Sequence, residues 1–487
     1  NMTSFEDVPK RSSATDTVLA YSVSIAEGVT QNYTITIQYP NDENIDQSDD
    51  MGTELSGKLY ISEGSYPSLA KLILRDNPTI SERTDFSVTN VANTTGTIYQ
   101  TNKTEDGSTV YYYSGNTTNN WVKFGKEIIQ ECTYNGEQAH YGVYDEGTNF
   151  YKEIRKIESD DECVSTNICS DDYGPIIGLT EEQCGDVDGT WTTDKATAGN
   201  KTEKDIYWRI IRTNEDGSVR LLYVGTSHNT ISGYIGVVNF DVSYSKNPRF
   251  VGYMYGTSGS LEKNRTNENS STIKTFIDDW YKNNLLTNYN RFISKTVTYC
   301  NDRSLNSSQT YSVKEPFNYG PHTRLAANRL AANITPTYKC GGDGNGGLFE
   351  TIQAIADKFS ASIGSGGNGQ LTYPIALMTA DELSFAGGVA AKELSSPYAW
   401  YFTNSNANSV TGKNDWWSLS PFAWGIYTNY GWIVGAGSSS MFGKLYGGTS
   451  GAKGVRPSVS LASCVGIKSG DGTPESPYEV DYDNSCK

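Results

Sequence analysis

The most aromatic part of this chain reads D-W-W-S-L-S-P-F-A-W-G at 415–425, Y-T-N-Y-G-W-I-V-G at 427–435 and G-V-R-P-S-V-S-L at 454–461. Within it, four of the nine tryptophans fall in a window of 17 positions, 416–432. Tryptophan has a large apolar ring system and an N–H that needs a partner, so the cluster indicates either a small core or an aromatic binding surface. Between Trp432 and Gly454 the residues are mostly glycine, serine, tyrosine, lysine and methionine, which favours exposed and adaptable loops.

Both roles are assigned within this segment. We interpret Trp416, Trp417 and Trp432 as core residues, because buried aromatic rings commonly dominate small β-rich cores. Tyrosine set among glycine, serine and asparagine is typical of antibody paratopes, in which tyrosine anchors and small polar residues adapt. The candidate ligand-binding residues are therefore Trp424, Tyr427, Asn429, Tyr430 and Tyr446. The chain does not contain the E-P-N and W-N-D patterns of calcium-dependent lectins. Aromatic side chains can still stack on the face of a sugar, because this contact needs no calcium.

The same residues carry a resemblance. The pair W-W-S-L-S-P at 416–421 and G-V-R-P-S-V-S-L resembles a bacterial secreted and surface family of unknown function, whose members close with W-W-L-R-S-P and G-V-R-P-A-L. That family is similar to the C-type-lectin-like fold of formylglycine-generating enzymes and retroelement variable proteins. Its other features are a strand-turn-strand at 208–224, a helix around Trp280 and the segment 374–383.

The resemblance covers residues 205–462 and implies a C-type-lectin-like domain there. It also implies that Arg456 is a structural residue, buried and satisfied by backbone carbonyls or a carboxylate. Leu419 occupies the position at which the family has arginine. The sequence therefore does not show what contacts the residue that pairs with this arginine in the family. Formylglycine-generating enzymes use cysteines inside the lectin-like core, whereas Cys464 follows G-V-R-P, where a structural disulfide is expected.

Composition narrows the class of protein. A chain of 487 residues has room for two or three domains, and 48 glycines with 34 tyrosines favour short strands and turns over a helical bundle. The formal charge of −17 argues against nucleic acid as a partner and against an anionic membrane surface. No run of 18 apolar residues occurs, so no membrane insertion is expected. The first residue, Asn1, fits a processed secreted protein.

The eight cysteines fall into local groups of even number, which predicts disulfides in an oxidising compartment. Cys300 is expected to pair with Cys340, and Cys464 with Cys486. Four more cysteines are expected to pair among themselves, with a Cys169–Cys184 bridge favoured: Cys132, Cys163, Cys169 and Cys184. The alternative is a zinc site, which the missing C-x-x-C pair and three scattered histidines disfavour. No metal site and no cofactor are expected.

The predicted fold class is α+β and β-rich, with few short helices. We divide the chain into a polar leader (1–17), a β-sandwich-like N-terminal domain (18–126), a disulfide-stapled insertion (127–204), the C-type-lectin-like domain (205–462) and a C-terminal strand and tail (463–487). Apolar residues alternate at the start of the N-terminal domain, which predicts a strand that is donated to a neighbouring copy. The alternating residues are Leu19, Tyr21, Val23 and Ile25. A leader that folds back on its own domain is the alternative.

Three local patterns predict helices. Apolar residues fall on one helical face around Trp280, with Ser271 or Thr272 as cap. Thr379 and Glu382 form a T-x-x-E capping box. A further apolar periodicity predicts a helix that runs from Leu348 through Phe359.

No catalytic residue is predicted, because the chain has no G-x-S-x-G, no H-E-x-x-H and no phosphate-binding glycine loop before a lysine. We expect a secreted or cell-surface protein that is not an enzyme: a pilus-like fibre subunit or adhesin that polymerises with copies of itself. A protein or glycan ligand is also expected. The alternative is a monomeric secreted binding protein or, less favoured, a formylglycine-generating type of enzyme.

Overall fold

The computed structural model of the chain describes residues 66–147, 149–165, 167–242, 252–257, 266–303, 322–323, 329–330, 334–340, 356–362, 367–390, 392–393, 398–424, 429–434, 441–448 and 451–486. Within these residues the chain is rich in β-strands and has a few short helices, which confirms the predicted α+β, β-rich class. The strand-donation residues 19–25 lie outside the described residues.

The helices, numbered in chain order, are α1 (Leu69–Asp76), α2 (Asp160–Ser165), α3 (Glu181–Asp186), α4 (Thr272–Asn284) and α5 (Ala380–Phe385). The strands up to the middle of the chain are β1 (Thr79–Glu82), β2 (Thr97–Thr101), β3 (Val110–Tyr112), β4 (Trp121–Tyr134), β5 (Glu137–Gln138), β6 (His140–Asp145), β7 (Phe150–Lys156), β8 (Ile168–Asp171), β9 (Gly174–Ile177), β10 (Thr190–Thr192), β11 (Thr197–Thr213), β12 (Val219–Gly225) and β13 (Gly236–Asn239).

The later strands are β14 (Met254–Tyr255), β15 (Asn269–Ser270), β16 (Tyr299–Asp302), β17 (His322–Thr323), β18 (Ala356–Ser360), β19 (Gly369–Gln370), β20 (Ile375–Leu377), β21 (Lys392–Glu393), β22 (Trp416–Trp424), β23 (Asn429–Val434), β24 (Met441–Gly448), β25 (Ala452–Gly454), β26 (Pro457–Leu461), β27 (Ile467–Ser469) and β28 (Tyr478–Val480).

Two large sheets organise these strands. The first has the order β1-β2-β3-β11-β12-β26-β20, and β4 joins it by pairing with β11, β28 and β5. The second has the order β10-β8-β9-β6-β7-β13-β25-β22-β23-β24-β21, with β17 paired to β22. Residues 415–448, here called the aromatic segment, thus supply three neighbouring strands of the second sheet, β22, β23 and β24. The G-V-R-P stretch leads into β26 of the first sheet.

The predicted strand-turn-strand at 208–224 is confirmed as the antiparallel pair β11 and β12. Asn214 closes the turn with hydrogen bonds to Ser218, and Gly217 adopts a positive φ of 77° that favours glycine. Trp208, Ile210 and Leu222 are all fully buried, because these strands lie in the interior of the first sheet. This hairpin is the centre of the main core.

Two of the predicted helices are confirmed. Helix α4 begins after Ser271, whose side chain accepts a hydrogen bond from the Lys274 amide, and it buries Ile273, Ile277 and Trp280. Helix α5 begins after Thr379 with both hydrogen bonds of the capping box in place.

The helix predicted through Phe359 is wrong where the structure describes it, because residues 356–360 form β18. Phe359 is fully buried and pairs with Tyr299 of β16, so its place in the sheet outweighs the local helical periodicity.

The main core draws on the chain well beyond 205–462. It includes Leu69 and Val122 from before that range and Ile467 and Tyr478 from after it. The strands β4 and β11 pair from Thr133–Thr197 to Trp121–Arg209, and thus run without a break across positions 126 and 204. The disulfide-stapled insertion is therefore joined to the core by two continuous strands.

Candidate functional site

The inner half of β22 is anchored in the core. Trp416 and Trp417 are almost completely buried, and the Trp417 Nε1–H donates to the carbonyl of Val238 over 2.9 Å. The Trp417 ring meets Phe240 edge-on, with the ring centroids 5.5 Å apart. Leu419 is also fully buried, and its amide donates to the Met378 carbonyl. A buried tryptophan with a satisfied N–H fixes the strand in one position.

Arg456 packs against the Trp416 ring of this buried part of β22. Its side chain is buried, Nε donates to the carbonyl of Tyr223 (3.1 Å) and Nη1 donates to the carbonyl of Tyr401 (2.6 Å). The guanidinium also stacks over the Trp416 ring at 4.7 Å. Burial lowers the pKa of Arg456 to about 9, so the group is still a cation near neutral pH. Backbone carbonyls and a ring face are the partners of this charge.

A second buried arginine, Arg209, has the same kind of environment. Its Nη2 donates to the Thr117 carbonyl over 2.7 Å, and its Nε donates to Oδ1 of Asn120. The guanidinium lies 4.3 Å from the centre of the Trp121 ring. Burial, with a smaller contribution from the charge of Arg456, lowers the pKa of Arg209 to about 9. Among the described residues, neither arginine forms an ion pair.

The outer part of the aromatic segment forms an antiparallel sheet. In the register of β22 and β23, Trp424 lies opposite Asn429; in that of β23 and β24, Trp432 lies opposite Tyr446. Tyr430 pairs with Ala423 on one side and Gly448 on the other. The backbone thus brings four of the five predicted ligand-binding residues together on three adjoining strands. The fifth, Tyr427, and the side chains of the other four and of Trp432 lie outside what the structure describes.

A buried network of charges lies next to the inner half of β22. The carboxylate of Glu382 accepts hydrogen bonds from Arg212 Nε (3.2 Å) and Arg220 Nη1 (2.7 Å). Burial acts to raise the pKa of Glu382, but the charges of Arg220 and Arg212 outweigh it and the net pKa lies below its ordinary value. The strand and the network are joined because the Ala380 amide donates to Oγ of Ser420.

This network was missed at the level of sequence, although a signal is present. Arg209, Arg212 and Arg220 interrupt the apolar strands W-R-I-I-R and V-R-L-L. A charge within a buried strand requires a partner, because an uncompensated charge in the interior is costly. The sequence does not reveal that Glu382, the capping-box residue, is that partner, since the two segments lie more than 160 residues apart.

Strand β1 is a largely exposed edge among the described strands of the first sheet. It ends the strand order and pairs in parallel with β2, through Ile80 and Ile98 among others. Ile98 is fully buried, whereas the side chain of Ile80 is 49% exposed. Thr79 and Glu82 are exposed as well. An edge strand with an exposed apolar side chain is a template for pairing with another strand.

Four disulfides are formed, as predicted: Cys132–Cys163, Cys169–Cys184, Cys300–Cys340 and Cys464–Cys486. The first two lie in the insertion, each in a small hydrophobic cluster apart from the main core. The cluster around Cys169–Cys184 also includes Tyr234, Val237 and Ala452 from outside the insertion. The fourth holds the C-terminal segment beside β27. Four disulfides with no free cysteine among the described residues indicate an oxidising environment.

In the part of the chain that the structure describes, no group of three or more histidine, cysteine, aspartate or glutamate side chains is arranged to hold a metal ion. The described helices are all too short or too polar to cross a membrane. Comparisons of the chain with protein-family models, with curated proteins and with solved structures gave no match.

Proposed function

We propose that this chain is a secreted or cell-surface interaction protein, a subunit of a pilus-like fibre or an adhesin. In this proposal residues 205–462 form a C-type-lectin-like domain that displays the outer part of the aromatic segment. The N-terminal domain (18–126) is β-sandwich-like and supplies the strand that joins one copy to the next. The disulfides support a protein that works in an oxidising, extracellular environment.

The observation that carries the assembly step is the exposed edge strand β1. A donated strand forms main-chain hydrogen bonds along a sheet edge and places alternate side chains against it. The alternation of Leu19, Tyr21, Val23 and Ile25 provides a matching apolar face, and Ile80 offers an exposed apolar side chain on the acceptor. We therefore assign the donor to the N-terminal alternating segment and the acceptor to β1 of a neighbouring copy.

The proposed display of a ligand-binding surface rests on the difference between the inner and outer parts of the aromatic segment. Its inner half is fixed by buried Trp416 and Trp417, so the outer strands start from a rigid base. Their sequence is rich in tyrosine, glycine and serine, which suits contact with a protein or a glycan. Ligand binding by this sheet accordingly requires no metal and no cofactor.

The proposal is tested by removing residues 1–40 from the chain. Light scattering and negative-stain microscopy are expected to show filaments of the full chain and single particles of the truncated one. Thermal unfolding of the truncated protein is expected to stay cooperative, because the main core described above begins at Leu69. If the full chain is itself a monodisperse particle of one chain mass, the fibre proposal is wrong and a monomeric binding protein replaces it.

A further inference from the structure

A small cavity lies between the central hairpin, helix α5 and the segment held by Cys300–Cys340. Its volume of about 20 Å³ has room for one or two waters or for one small ion. Four cations and three carboxylates line it: Arg212, Arg220, Arg329, Lys339, Asp302, Asp381 and Glu382. The lining residues alone thus carry one excess positive charge, and Glu215, which does not line the cavity, lies 3.8 Å from Arg212 Nη1. Lys339 is exposed, so the cavity reaches the surface.

Two of the lining carboxylates are already engaged in the fold. Besides the two arginines that bind Glu382 Oε1, the Thr379 amide donates to Oε2 over 2.9 Å. Asp381 Oδ1 accepts from the Thr337 amide (2.9 Å) and from Arg329 Nη1, and Oδ2 accepts from Arg329 Nη2 at 3.1 Å. These acceptors are committed to protein donors.

The unused groups of the cavity are donors. The Nε–H of Arg220 and the hydroxyl of Tyr338 are both buried, and neither has a hydrogen-bond partner. Burial raises the pKa of Tyr338 well above its ordinary value, so the hydroxyl keeps its proton and can donate. A buried donor without a partner costs free energy, and a ligand that accepts hydrogen bonds removes that cost. A neutral water offers acceptors too, but a carboxylate adds a negative charge beside the guanidinium of Arg220.

We propose that this cavity binds one small anionic group, namely a carboxylate. The carboxylate accepts hydrogen bonds from Arg220 Nε and from the Tyr338 hydroxyl, and its charge lies beside the guanidinium of Arg220. Binding of an anion next to arginine is strengthened by charge-assisted hydrogen bonds. The group comes either from a free small acid or from the end of a peptide, and this proposal does not depend on fibre assembly.

The test is thermal unfolding of the full chain while sodium formate replaces sodium chloride at constant ionic strength. A ligand that binds only the folded state raises Tm in a saturable way. We expect the rise in Tm to saturate with formate concentration. In Tyr338→Phe, which loses one donor, we expect a dissociation constant about tenfold larger. Tyr112→Phe is the matched control, because Tyr112 also has a buried hydroxyl without a partner and packs against Tyr338, but does not line the cavity.

A second arm distinguishes the two sources of the carboxylate. A tripeptide with a free C-terminus is compared with its C-terminal amide, each in place of formate. Saturation by the free peptide but not by the amide identifies a peptide carboxylate, and saturation by formate alone identifies a small free acid. A Tm that does not respond to formate or peptide, or that responds equally in the wild type and Tyr338→Phe, overturns the site and leaves a water as the occupant.

Discussion

This fold contains two pairs of buried arginines, and the two pairs are stabilised differently. Arg212 and Arg220 lie opposite each other on β11 and β12 and share the carboxylate of Glu382. Arg209 and Arg456 have no carboxylate partner among the described residues and are held by carbonyls, Asn120 and tryptophan faces. The first pair depends on ionised carboxylates, Glu382 for both arginines and also Glu215 at 3.8 Å from Arg212, whereas the second depends on backbone geometry.

This difference determines what each pair contributes. Like charges directly opposite each other on a sheet repel, so the ionised carboxylate of Glu382 stabilises the first pair. The second pair ties distant parts of the chain together, because Arg456 links the strand before β26 to the carbonyls of Tyr223 and Tyr401. One pair is therefore sensitive to charge and pH, and the other to the shape of the side chain.

The largest effect is expected from Arg456→Ala. The substitution leaves two buried carbonyls without donors, at about 1–3 kcal/mol each, and opens a cavity beside Trp416 that costs about 2–5 kcal/mol more. The sum is comparable with the whole stability of a domain, so the protein is expected to unfold, as measured by circular dichroism and urea titration.

Arg456→Lys is the control for charge alone. It keeps the cation and most of the side-chain volume but loses the planar fork that reaches both carbonyls. An intermediate loss of stability is expected. If Lys restores full stability, the charge of Arg456 and not its geometry is what the fold requires.

The next largest effect is expected from Glu382→Gln. Glutamine keeps the shape of the side chain but removes the carboxylate that the two arginines share; Arg212 keeps Glu215 at 3.8 Å, whereas Arg220 has no other ion-pair partner among the described residues. Loss of one partner of a buried ion pair costs about 3–5 kcal/mol. Urea unfolding at pH 7 measures the loss. A cost below about 1 kcal/mol shows that the charges of the two arginines are satisfied elsewhere.

The smallest effect is the pH dependence that distinguishes the two pairs. The pKa of Glu382 is lower in the folded than in the unfolded state. As pH falls, the unfolded state therefore takes up the proton first, and the free energy of unfolding decreases from about pH 4.5 downward. Arg209 and Arg456 stay protonated throughout this range and contribute nothing to it.

The measurement compares the wild type and Glu382→Gln by urea unfolding between pH 5 and pH 3. The wild type is expected to lose more stability over this range, so the difference between the two proteins narrows as pH falls. Equal slopes in the two proteins contradict the assignment of this acid sensitivity to Glu382.

Much of the local structure was predictable from sequence because its causes are local. The capping box at Thr379 and Glu382 and the apolar face around Trp280 each lie within a few turns of helix. The disulfides followed from cysteines grouped in even numbers within short stretches. The central hairpin was expected from the family resemblance, on the W-R-I-I and V-R-L-L stretches.

The remainder was not predictable because its causes are distant in the chain. Phe359 has a helical periodicity, yet pairing with Tyr299 places it in a strand. Nothing near Arg220 in sequence identifies Glu382 as its partner or Tyr338 as its neighbour in the cavity. For the predicted ligand-binding residues, the strand register is given by the structure, whereas the contacts of Tyr430 and Tyr446 are still a prediction.

The assembly claim is tested most directly by measuring filament formation of Ile80→Lys, in which a charge is placed on the exposed edge of β1. The matched control is Ile231→Lys, because Ile231 is 61% exposed and lies outside the strands. Light scattering of the folded proteins is predicted to show filaments for the wild type and Ile231→Lys and single chains for Ile80→Lys. Filaments of undiminished length in Ile80→Lys would contradict the assignment of β1 as the acceptor of the donated strand.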